Sequence, residues 1–140
     1  MIKPKYKDNI TQEEKDLLLK DLCARLPYGV KLRYVEDLVM KKESHTITLN
    51  NIYLEHIING DADIKPYLRP MSDMSEDERK YITDKCGFTT MGPIGGEFSL
   101  VMPVIATEWL IDFYNSHHID WRGLIPMGLA LEAKEGMYNN

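Results

Sequence analysis

The chain is 140 residues long, 44% hydrophobic and 28% charged, with a formal net charge of −5 and two cysteines. That size and balance suit one folded domain that buries its own core, and they exclude a disordered chain or a disulfide-built scaffold. The charge is uneven, +1 over residues 1–70 and −6 over residues 71–140, so the overall field has the wrong sign for binding nucleic acid through its phosphates.

Lys3, Lys5 and Lys7 read as a solvated tail, and fraying is expected over residues 1–10 and again over 134–140. Thr11 and Glu14 have the spacing of a capping box, which predicts a helix over 12–26 with an apolar stripe of Leu18, Leu19, Leu22, Cys23 and Leu26, stopped by Pro27 and Gly29. Beyond Gly29 the period becomes two. Val30, Leu32 and Tyr34, then His45, Ile47 and Leu49, alternate with polar residues, giving an antiparallel hairpin that joins 30–40 to 45–50. Residues 52–58 fit a strand or a short helix equally, and Asn59 to Asp61 makes a turn.

Two prolines hold Ile64 to Pro70 extended, as a connector or an edge strand. Ser75 and Glu78 form a second capping box for a helix running to Cys86, with Gly87 as its stop. The stretch from Met91 to Gly96 has the glycines of a phosphate-cradling loop. It lacks the Lys-Ser/Thr continuation and the following helix, so it reads as the turn of a second hairpin whose return strand covers 98–102. Ala106 to Ser116 carries Trp109, Leu110, Phe113 and Tyr114, an aromatic helical stripe expected to pack on the sheet. In the tail, Gly123, Pro126 and Gly128 leave only 129–133 free to be regular. The whole reads as a single α+β domain over 1–140, an antiparallel sheet of hairpins with about three helices packed on it.

No apolar segment follows the charges of the first eight residues, which predicts no secretory signal. The longest apolar stretch, Leu100 to Ala106, is interrupted by Pro103 and is far shorter than the roughly 20 residues of a membrane span. Cys23 and Cys86 have apolar neighbours and no Cys-x-x-Cys pairing. A cytoplasmic protein with two buried free thiols, no metal and no cofactor is the expectation.

The densest polar cluster is His117, His118, Asp120 and Arg122, whose side-chain types suit acid–base or anion chemistry. Adjacent histidines point about 100° apart on a helix and no further ligand completes a metal set, so these four are weak catalytic candidates, with Asp120 and Arg122 free to pair across a turn. Tyr67, Leu68, Arg69, Met71 and Met74 instead place aromatic, aliphatic and cationic side chains on a proline-stiffened segment, which is read as a partner-binding loop. Catalytic motifs are lacking, so the balance tips away from an enzyme.

Three blocks, Leu17 to Val30, Lys65 to Ser72, and His118 to Ala133, resemble small uncharacterised proteins of Bacteroides-type gut bacteria and of their prophages and mobile elements. The resemblance implies a cytoplasmic accessory protein of such an element and brings no established activity. The leading expectation is a non-enzymatic interaction module acting on a host or phage protein. The alternatives are a small enzyme or ligand-binding protein using His117 to Arg122, and a nucleic-acid-associated protein.

Overall fold

The Thr11 hydroxyl accepts the backbone N–H of Glu14 at 3.0 Å, and the Glu14 carboxylate accepts that of Thr11 at 3.1 Å. This reciprocal cap opens α1 (Gln12–Arg25) in a computed structural model that describes residues 10–37, 42–60, 63–86, 89–94, 97–101 and 104–138. A 3₁₀ turn over Leu26–Tyr28 and Gly29 at φ +69° end the helix; a side chain at Gly29 would be strained in that left-handed conformation.

The hairpin follows as the alternation predicts. β1 (Lys31–Asp37) and β2 (Lys42–Thr48) are antiparallel, with Lys31 opposite Thr48 and Tyr34 opposite His45. The ambiguous segment is a helix, α2 (Asn51–Asn59), because the Asn50 side chain accepts the N–H groups of Ile52 and Tyr53 and Gly60 closes its end. β3 (Asp63–Leu68) lies antiparallel to β1, with Leu32 opposite Pro66. The second capping box forms between Ser75 and Glu78 and opens α3 (Glu76–Cys86). β4 (Thr89–Ile94) and β5 (Glu97–Val101) make a separate two-stranded sheet. α4 (Val104–Ser116) and the two-residue β6 (Leu131–Glu132) complete the chain. The expected fraying of residues 1–9, the stop at Gly87, the burial of Cys86, and Gly95 and Gly96 of the expected turn lie outside the described residues; Met91 to Ile94, expected in that turn, belong to β4 instead.

Three expectations change. The main sheet, ordered β2-β1-β3-β6, is mixed rather than wholly antiparallel, because β6 runs parallel to β3. Four α-helices are present among the described residues, where about three were expected. β3 is an inner strand rather than an edge, and Pro66 is tolerated there because β6 begins opposite Tyr67, past the residue without an N–H.

The main core joins Leu18, Leu22, Val30, Leu32, Leu49, Ile57, Ile64, Leu68, Leu124 and Leu129 from α1, the sheet, α2 and the tail. The buried side of α1 is rotated from the expected stripe. It comprises Leu18, Asp21, Leu22 and Arg25, while Cys23 is exposed instead of buried. The reason is electrostatic: Asp21 and Arg25, one turn apart, pair through Nε and Nη2 and enter the interior together, with Arg25 Nη1 buried without a partner. The aromatic face of α4 also departs from expectation. It packs against α3 rather than the sheet, forming a second cluster of Ile82 and Phe113 with Met74, Trp109, Leu110 and Tyr114 around them.

Residues 134–138, for which the sequence offers only a frayed end, form a turn anchored at Tyr138. Its hydroxyl donates to the Tyr67 carbonyl at 2.7 Å and accepts the Lys31 N–H at 2.8 Å, and burial pushes this phenol up to about 12. Among the described residues no helix is long and apolar enough to cross a membrane.

Candidate functional site

The polar cluster after α4 does not converge on one point. Asp120 is buried, and its carboxylate accepts the backbone N–H groups of Gly123, Leu124 and Ile125 at 3.0, 2.8 and 2.9 Å. With three donors in a short turn, it acts as the knot of that loop and does not reach a histidine. Arg122 does not pair with Asp120 as expected. Its Nε donates to Asp21 Oδ1 at 3.1 Å, across 101 positions of sequence, and its guanidinium lies 4.0 Å over the Trp121 ring. Asp21 also accepts Arg25 Nε at 2.8 Å and Nη2 at 3.2 Å, and Arg25 Nη2 reaches the Ile119 carbonyl at 2.7 Å. One carboxylate thus holds two guanidinium groups, and both members of the Asp21–Arg25 pair are fully buried.

His118 has φ +61°, the only non-glycine residue with positive φ among those described. Its ring stacks on Tyr138 with centroids 3.8 Å apart. Burial, and then the nearby charge of Arg25, push this imidazole down to about 4, so it is neutral at ordinary pH. It clasps the tail.

His117 is the member of this cluster that lines an open depression. Its Nδ1 lies 2.9 Å from the Phe113 carbonyl and 3.1 Å from Ser116 Oγ, and its ring stacks on Phe113 at 3.9 Å. The carbonyl can only accept, so Nδ1 carries a proton toward it.

The proposed partner loop is also largely consumed. Tyr67 and Leu68 are buried core residues of β3, at 5% and 0% exposure, and cannot meet a partner. Arg69 is a hub. Its Nε donates to Asp73 Oδ2 at 3.0 Å, its Nη1 to Glu78 Oε2 at 3.0 Å and the His117 carbonyl at 3.3 Å, and its Nη2 to Glu78 Oε1 at 2.7 Å and the Asp73 carbonyl at 3.2 Å. That bidentate grip holds the Glu78 carboxyl down at about 2. Met74 packs into the second cluster, and Met71 alone of the five is exposed.

The open region is a cleft between α3 and α4. One depression of about 440 Å³ is lined by Asp77, Glu78, Tyr81, Phe113 and His117. A second, of about 280 Å³, shares Tyr81, Phe113 and His117 and adds Tyr28, Trp109, Asp112 and Ser116. Trp109, Phe113 and His117 recur every four residues along α4, while Asp77 and Tyr81 do so on α3, so each helix presents one continuous line of side chains to the cleft. The rings are close: Tyr81 to Trp109 is 5.6 Å, Tyr81 to Phe113 is 5.7 Å and Trp109 to Phe113 is 5.4 Å. Tyr81 is nonetheless 51% exposed. A surface aromatic supported on one side by other rings is preformed for contact at small entropic cost.

Sequence reasoning assigned Trp109 and Phe113 to packing and passed over Asp77, Tyr81 and Asp112. The signal available was the four-residue spacing in both helices. What it lacked was the fact that the two lines face each other. Among the described residues no group of three or more His, Cys, Asp and Glu side chains is placed to hold a metal ion. No protein family, curated protein or solved structure matches the chain.

Proposed function

We propose that the chain is a non-enzymatic protein-interaction module whose recognition surface is the α3–α4 cleft. The observation that carries this reading is the contrast in use of side chains: Asp120, Arg122 and His118 are occupied in holding the fold, while Tyr81, Trp109 and His117 line an open aromatic depression. A volume of about 440 Å³ falls in the range of sites that hold small ligands or anchor side chains of a partner. Tyrosine and tryptophan are the residues most often found at binding hot spots. The resemblance carried by residues 17–30, 65–72 and 118–133 supports a cytoplasmic setting and a host or phage protein as the partner. The acidic margin of the cleft argues against nucleic acid.

The test is a randomised peptide library displayed on phage and panned against the full chain, with a Tyr81→Ala chain as counter-selection. Sequences retained by the natural chain and lost on the variant are expected. If none discriminates between the two, the cleft is not a recognition surface.

A further inference from the structure

We infer that the α3–α4 cleft receives an arginine side chain presented by a partner polypeptide. The inference rests on the reading of the cleft as a recognition surface and adds the chemistry of its occupant.

What the cleft can donate and accept decides what it can hold. Arg69 is the cation that contacts its edge through Glu78, and each of its five N–H groups already has an acceptor on Asp73, Glu78 or the His117 carbonyl. It has nothing left for an anion. Ser116 spends its hydroxyl proton on the Phe113 carbonyl, and His117 spends its Nδ1 proton there too. Asp77 and Asp112, both exposed, stand on the two sides of the ring cluster and bring negative charge. The hydroxyls of Tyr28 and Tyr81 and the indole N–H of Trp109 also line the cleft and can donate, but they are neutral, whereas Asp77, Glu78 and Asp112 are carboxylates, so the charge of the lining is complementary to a cation.

Helix dipoles modify this balance without reversing it. The C-terminus of α4, at Ser116 and His117, carries a partial negative charge that favours a cation. The N-terminus of α3 carries about half a positive charge, but its first turn holds Glu76, Asp77 and Glu78. Of these three Arg69 pairs with Glu78 alone, and it shares its charge with Asp73, so the carboxylates prevail.

The rings select among cations. Tyr81, Trp109 and Phe113 present an aromatic wall, on which a planar guanidinium stacks while its edge donates to carboxylates. A compact, strongly hydrated ammonium gains less from the same wall. The cavity also exceeds what one guanidinium fills, leaving room for the aliphatic stem and flanking apolar residues.

The experiment extends the peptide selection. Retained peptides are sequenced, and for the best of them a series with the central arginine replaced by lysine, glutamine or glutamate is titrated calorimetrically against the full chain. The expected results are enrichment of arginine beside apolar residues, a loss of about tenfold or more for the glutamine peptide, and weaker binding with a flatter salt dependence for Asp77→Asn and Asp112→Asn. Both aspartates are exposed, so these variants keep the fold, which circular dichroism checks. Retained peptides that depend on Tyr81 but contain no basic residue would overturn the arginine inference and leave the interaction module standing. Ethylguanidinium binding as tightly as the peptide would overturn the polypeptide as occupant. The absence of any Tyr81-dependent peptide would remove both proposals together.

Discussion

The junction of α1 with the 117–125 turn and the cleft between α3 and α4 are built from the same kinds of side chain, carboxylates, cations and rings, yet they end in opposite states. In the junction every carboxylate oxygen of Asp21 and Asp120 has a donor, and the pair Asp21 and Arg25 is shut off from water. In the cleft the rings lie beside a volume of about 440 Å³, with Tyr81 half exposed. Composition alone does not mark a site. What distinguishes the two is access: the junction's carboxylates are bonded and buried, with even Arg25 Nη1 and His118 Nδ1 closed off from water, while Tyr81, Asp77 and Asp112 of the cleft remain open to it.

This contrast is sharpest in what substitutions cost. Asp21→Ala leaves Arg25 buried without its counter-charge, and it should lower the unfolding free energy by about 3–5 kcal/mol in a urea titration. A loss under about 1 kcal/mol would show that water reaches the pair and that the junction is no different from the surface. Asp120→Ala removes the acceptor of three backbone N–H groups. The expected loss is roughly 2–3 kcal/mol, with hydrogen exchange of Gly123, Leu124 and Ile125 accelerated more than that of β1.

A smaller effect comes from pH. The folded chain holds His118 at about 4, below its ordinary 6.5, so between these values the unfolded chain binds a proton that the folded chain refuses. Stability from this group is complete above about 6.5 and is lost as pH falls toward 4, with a slope below about 1.4 kcal/mol per pH unit because one proton is involved. Glu78, held at about 2, adds its own loss only further down, from its ordinary 4.5 to about 2. His118→Asn, which tolerates the left-handed backbone, should flatten the upper window and leave the lower one; an unchanged upper slope would show that another group titrates there. The smallest effect belongs to the cleft. Tyr81→Ala should change stability by less than about 1 kcal/mol while abolishing peptide binding, and a larger loss would make its ring a part of the core instead of a contact surface.

Local chemistry was legible in the sequence. Both capping boxes form, α1 begins where Thr11 places it, and the alternation after Gly29 yields the β1–β2 hairpin. These signals lie within a few residues of what they specify. Pro66 misled, because the rule against proline in inner strands assumes a full-length neighbour and β6 is two residues long. The charged face of α1 was hidden because Asp21 and Arg25 look solvent-facing until Arg122 is brought to them from 101 positions away. For the cleft, the residues on each helix could be read from their spacing, but their meeting depends on Arg69, which ties β3 to α3 and to the carbonyl of His117.

The parallel seam also leads to an expectation for the order in which the chain assembles. β1, β2, α2 and β3 are contiguous and pair with near neighbours, whereas β3 gains its second flank only when Tyr67 meets Leu131 and Arg69 meets Ile119. Closing a loop of that length costs on the order of 4 kcal/mol of chain entropy before any contact compensates. The seam is therefore expected to close late in refolding, and Trp121, donating to Asn115 at its edge, reports on it by fluorescence in a Trp109→Phe chain.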